Sequence, residues 1–88
     1  MASIFKLSIL TPEKSVFDGD VSYVEAPGTE GYFGVLASHA PLVTGLAKGT
    51  LTVREANGQE SRFEVAGGFF EVSNNTATVL ADSVSAAS

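Results

Sequence analysis

The sequence has no cysteine, one histidine and five basic residues against ten acidic ones. Without cysteine there is no disulfide frame. Small secreted domains commonly depend on one, so the absence favours a cytoplasmic setting. A lone histidine, with neither a second histidine nor a cysteine to share a metal, offers no zinc ligand set. The net charge is −5 and the few Lys and Arg residues are scattered. Nucleic-acid binders cluster their cations to neutralise phosphates, so no nucleic-acid partner is expected. The same shortage disfavours direct binding to anionic lipid. No apolar run approaches the ~20 residues of a membrane-crossing helix, so no direct membrane insertion is expected. The opening Met1-Ala2-Ser3-Ile4-Phe5-Lys6 lacks a basic region followed by a long apolar run and does not read as a signal peptide. Any membrane association is expected to run through a protein partner.

What is present reads as one all-β domain. Eighty-eight residues, 44% apolar and 17% charged, suffice for a single core and no second one. Phe5, Leu7 and Ile9 alternate with Lys6 and Ser8, the period of a half-buried strand that Thr11-Pro12 ends. Lys14–Asp18 predicts a second short strand, broken by Gly19. Val21–Ala26 predicts a third, with Val21 and Tyr23 on one face, Ser22, Val24 and Ala26 on the other, and Pro27-Gly28 as its stop. Leu42–Leu46, Thr50–Glu55, Arg62–Ala66, Phe69–Ser73 and Thr76–Asp82 follow as further short strands. Asn57-Gly58 suits a two-residue type I′ turn between Thr50–Glu55 and Arg62–Ala66. Gly67-Gly68 reads as a break and Asn74-Asn75 as another turn. Eight to ten short strands with turns at close spacing predict a β-sandwich or a small barrel. The small, polar residues from Ser83 to Ser88 are expected to fray.

The candidate site is Gly28–Pro41. Gly28, Gly31 and Gly34 recur at three-residue spacing, and the only histidine, His39, follows five residues later. The glycines are not a dinucleotide fingerprint, which needs a Gly-x-Gly start and a following helix. Without a helix there is no helix N-terminus to hold a phosphate. Tight turns and close backbone packing explain them better. His39 has no nucleophile or acid at a spacing that supports catalysis. Structural hydrogen bonding or contact with a partner is the better reading. Of Tyr32 and Phe33, the period places one outside; Phe33 is expected in the core and Tyr32 exposed, where an aromatic suits a protein contact. Leu42, Val43 and Leu46 serve either the core or an apolar partner patch. No catalytic residue, cofactor or metal is expected.

Four blocks then carry a resemblance. They are Gly-Thr-Glu-Gly-Tyr-Phe-Gly-Val-Leu-x-x-His-Ala-Pro-Leu-Val-Thr (28–44), Lys-Gly-Thr-Leu-Thr-Val (48–53), Val-Ala-Gly-Gly-Phe-Phe-Glu-Val (65–72) and Thr-Val-Leu-Ala-Asp (78–82). In order and spacing they resemble the epsilon subunits of F-type ATP synthases, over essentially residues 4–84. The resemblance implies a flattened β-sandwich of about ten short strands in two sheets, spanning residues 1–84, with 85–88 as a flexible tail. It implies a non-catalytic rotor subunit of a proton-translocating enzyme, linking the gamma subunit to the c-ring so that rotation is coupled to ATP synthesis. Thr29, Glu30, Gly31, Tyr32 and Phe33 would then meet the c-ring, and Thr11, His39 and Thr44 the gamma subunit. The implied location is the cytoplasmic face of the bacterial inner membrane, as a peripheral part of the complex. Most members of the family continue into a C-terminal helical hairpin that inhibits hydrolysis and in some binds ATP. The sequence given stops at Ser88, so neither property carries over and no ATP binding by this chain is expected. The alternative function is a generic β-sandwich module for a peptide or sugar, for which only Tyr32, Phe33 and His39 are on offer.

Overall fold

The structure, a computed structural model, describes residues 3–86. Seven strands follow one another: β1 Phe5–Leu10, β2 Ser15–Gly28, β3 Gly31–Leu36, β4 Leu42–Leu46, β5 Gly49–Glu55, β6 Glu60–Ser73 and β7 Thr76–Ala86. They form two packed layers. One holds β3, the second half of β2, β5 and the first half of β6. The other holds β4, the second half of β6, the first half of β7, β1 and the first half of β2. The second half of β7 completes the first layer beside β6. Three long strands, β2, β6 and β7, therefore serve both layers. Counted once in each, they turn seven strands into the ten segments of the expected sandwich. All pairings are antiparallel except β1 with β7.

The strand count differs from the sequence reading at three places, each with a local cause. Gly19 does not break β2, because it stays paired with Leu7 while Phe5 pairs with Val21. Gly67 and Gly68 do not break β6 either. Their φ angles of 72° and 118° bend it as it passes from β5 to β4. A third difference runs the other way: Gly31–Leu36, inside the candidate segment Gly28–Pro41 where no strand is expected, is strand β3, and Pro27 and Gly28 belong to β2.

Two details of phase and turn also differ. Pairing shifts by one residue between Val21↔Glu55 and Tyr23↔Arg54, so Ser22 is a β-bulge. The bulge flips every side chain beyond it. Val21, Val24 and Ala26 all face the core, and Tyr23 turns outward. Asn57-Gly58 is not a type I′ turn, since of the two only Gly58, at φ 91°, is positive. The Gly58 amide donates to the Glu55 carbonyl at 2.9 Å and the Glu55 amide to the Gln59 carbonyl at 2.7 Å, giving a three-residue loop closed by a glycine bulge. The type I′ geometry lies at Asn74-Asn75, with φ of 52° and 59° between paired Ser73 and Thr76.

The core lies between the layers. Leu7, Ile9, Val21, Val24, Val35, Leu51, Val53, Val65, Phe70, Val72 and Val79 are fully buried in it, and no polar side chain among the described residues is buried. Each such side chain stabilises the fold by roughly 1.5–3 kcal/mol. Edge-to-face phenylalanine pairs join the layers at two points, Phe33 with Phe70 at 5.0 Å and Phe17 with Phe63 at 6.3 Å. β7 continues past Asp82, pairing Val84, Ser85 and Ala86 with Val65, Glu64 and Phe63. Ser83 therefore does not begin a frayed end, and the first two residues of the expected 85–88 tail are in strand. Ala87 and Ser88 lie outside the described residues.

Candidate functional site

The Thr29–Phe33 segment is the tip of the β2–β3 hairpin. Gly28 pairs with Gly31 across Thr29-Glu30, and Gly31 takes a φ of 125° to close the turn. The other two glycines answer a steric demand. A Cβ on Gly28 would come within 2.8 Å of the Gly31 carbonyl oxygen and 3.0 Å of the Phe33 ring. A Cβ on Gly34 would meet the Tyr23 hydroxyl at 2.7 Å. The three-residue spacing thus marks one turn and two places where an aromatic ring lies on the backbone. Along β3, Phe33 and Val35 face inward while Tyr32, Gly34 and Leu36 face out. Tyr32 is 58% exposed, yet its hydroxyl accepts the Thr50 backbone N–H at 3.0 Å.

Beside the tip is an open hollow of about 360 Å³, lined by Gly28, Glu30, Tyr32, Phe33, Leu42 and Thr44 among others. Thr44 sits on β4 opposite Phe70 and donates to the Gly45 carbonyl at 3.4 Å. The structure thus brings Thr44 to the hairpin, apart from His39 and Thr11. No acid, base and nucleophile converge here, and no group of three His, Asp or Glu side chains gathers anywhere among the described residues. What the hollow offers is a shape with an apolar floor and one exposed carboxylate, Glu30.

His39 and Thr11 lie at opposite ends of the second layer. His39 belongs to the β3–β4 connection, and its ring Nδ1–H donates to the Ala40 carbonyl at 2.7 Å. Ser38 before it takes a φ of 65°, held by its amide donating to the Asn75 side-chain oxygen at 2.8 Å. The Asn75 side-chain nitrogen donates in turn to the Ile4 carbonyl at 3.0 Å. Thr11 shapes the β1–β2 turn: its amide donates to the Lys14 carbonyl at 2.9 Å, and its hydroxyl lies 3.3 Å from the Lys14 amide.

Between those ends runs an exposed apolar face that the sequence reading mostly missed. Val43 on β4, Phe69 on β6 and Leu80 on β7 are 68%, 61% and 49% exposed. Phe69 pairs with Leu80 and Leu80 with half-buried Leu10, so the row crosses β6, β7 and β1, while Val43 on neighbouring β4 pairs with Glu71 and lies diagonal to Phe69 on the same face. Phe69-Phe70 was the available signal: consecutive aromatics in a strand must point to opposite faces. No helix of the described residues is long and apolar enough to cross a membrane.

The sequence matches, over residues 4–87, the family described as the ATP synthase delta/epsilon chain, beta-sandwich domain. The ATP synthase epsilon chain of Protochlamydia amoebophila is 47% identical over 81 residues, which are 92% of this chain and 55% of that one. The chain thus spans about half the length of that relative. The epsilon chain of Chlorobium limicola is 44% identical over 92% of both chains. A chain of the Euglena gracilis mitochondrial ATP synthase, solved with OSCP, F1 and c-ring, superposes with a TM-score of 0.88 at 25% identity, over 98% of this chain and 54% of that one.

Proposed function

Since the chain belongs to the ATP synthase delta/epsilon family, we propose that it is a non-catalytic subunit of the central stalk, turning with the rotor of a proton-translocating F-type ATP synthase. It links the gamma subunit to the c-ring. Thr29, Glu30, Gly31, Tyr32 and Phe33 meet the ring, while Thr11 and His39 lie toward gamma; Thr44, expected on the gamma side, stands beside the hairpin tip instead. The protein is peripheral, on the cytoplasmic face of a bacterial inner membrane.

The observation that carries this reading is the apolar row of Val43, Phe69 and Leu80. Thr11 and His39 flank it at opposite ends of one layer. A partner that reaches both ends crosses the row and covers it. Exposed apolar surface of this kind marks a protein contact. A lasting interface buries roughly 1,000 Å² or more in total, which a sheet face can supply.

Mixed with the gamma subunit of its own organism at micromolar concentration, the chain is expected to elute as one complex on size exclusion. The Phe69→Asp variant should elute separately from gamma while its melting temperature stays within about 2 °C of the parent, because an exposed side chain contributes little to the fold. Failure of the parent chain to elute with gamma removes the gamma assignment. Co-elution of the Phe69→Asp variant would move the contact away from this face.

A further inference from the structure

We propose that Tyr32 is a positioning residue: its hydroxyl fixes the β2–β3 hairpin tip in place from within the molecule and is not a group left for a partner. The proposal rests on the reading of this tip as a docking element. Three backbone-directed bonds tie the hairpin to the run 45–50, from the end of β4 to the start of β5. The Thr50 amide donates to the Tyr32 hydroxyl at 3.0 Å. The Thr29 amide donates to the Gly45 carbonyl at 3.1 Å, and the Ala47 amide to the Pro27 carbonyl at 2.8 Å. The Thr29 methyl group also covers Gly45, whose missing Cβ would stand 3.1 Å from it. Residues 27, 29 and 32 of one hairpin are thereby held by a single run of six residues.

Gly49 completes the arrangement. Its φ is not positive, so it is not required for backbone freedom. It is required for room: a Cβ there would lie 2.6 Å from the Tyr32 hydroxyl and 2.8 Å from the Pro27 Cβ. The Tyr32 side chain reaches across to β5 only because that position is bare. A two-stranded hairpin is marginally stable alone, and loop tips open at small cost. The ties from 45–50 remove that freedom and leave Glu30 projecting, with no ion pair among the described residues. A tip held in one place loses less entropy when it docks.

The test is amide hydrogen exchange on the whole chain, in the parent, Tyr32→Phe and Gly49→Ala. Removing the hydroxyl deletes one hydrogen bond, so exchange at both Thr50 and Thr29 should rise about fivefold, with the core amide of Val79 unchanged. Gly49→Ala displaces the same hydroxyl from another strand and should give the same local pattern. Unchanged exchange at Thr29 in Tyr32→Phe overturns the proposal, since the tip is then held without the tyrosine. Attachment to purified c-ring carrying gamma is measured alongside and should weaken by about the same factor. If exchange rises and attachment does not change, the positioning role stands and the reading of the tip as a ring contact falls.

Discussion

At Gly68 the backbone carries a φ of 118°, and a Cβ would stand 2.8 Å from the Ala81 Cα and closer still to the Leu80 carbonyl oxygen. Nothing there can move without displacing β7. Gly58 is also left-handed, at φ 91°, but faces open space. The two glycines therefore separate two costs that usually come mixed. Gly58→Ala should destabilise by about 1–2 kcal/mol, the intrinsic penalty for a side chain in that region. Gly68→Ala should cost more than about 3 kcal/mol, because conformational strain and a backbone clash add. Urea titrations of both variants give the comparison. Equal losses would show that β7 yields to the new methyl group.

Turns were where the sequence was read least well, and the reason is chemical. Asn-Gly and Asn-Asn both favour turns, but composition alone does not say how many residues the loop holds. At Asn57-Gly58 an extra residue, Ala56, enters the loop, and the Asn57 side chain accepts the Gln59 amide at 2.8 Å. At Asn74-Asn75 the pairing runs up to Ser73 and Thr76, leaving two residues. The strands themselves were legible from alternation: Phe5, Leu7, Ile9, Leu51 and Val53 are buried as their period requires. The phase error after Val21 came from the bulge at Ser22, which no side chain announces. Glycines read as breaks were bends or paired strand positions, because a neighbouring strand supplied the bonds a turn would otherwise need. As for the site, the outward Tyr32 and inward Phe33 were legible, whereas the tie from Tyr32 to Thr50 joins residues far apart in sequence. Asn75 illustrates the same limit, since its side chain holds both Ser38 and Ile4. Asn75→Ala removes two such bonds at a left-handed position and should cost about 2 kcal/mol. Asn74→Gly should stay within about 0.5 kcal/mol of the parent, since glycine accepts a type I′ position freely. Denaturant unfolding that ranks these two variants the other way would contradict the role given to Asn75.

At the scale of the molecule, both tyrosines sit on the outer face of the same layer, Tyr23 over Gly34 and Tyr32 over Gly49. Their fluorescence therefore reports on that layer, and far-ultraviolet circular dichroism reports on both. Because β2, β6 and β7 are shared, neither layer can melt while the other keeps its strands. The two signals should trace one coincident transition in urea, the mark of two-state unfolding. A tyrosine transition that precedes the loss of sheet would mean that the layers are separable. Sharing strands also changes how a load is carried. When two independent sheets are twisted against each other, side-chain packing alone resists the slip. Here a continuous strand passes from one sheet to the other three times, in β2, β6 and β7, bending at Gly67-Gly68 in β6. A couple applied to opposite faces is then taken up in bonds that do not break, and the sandwich has no seam along which to shear.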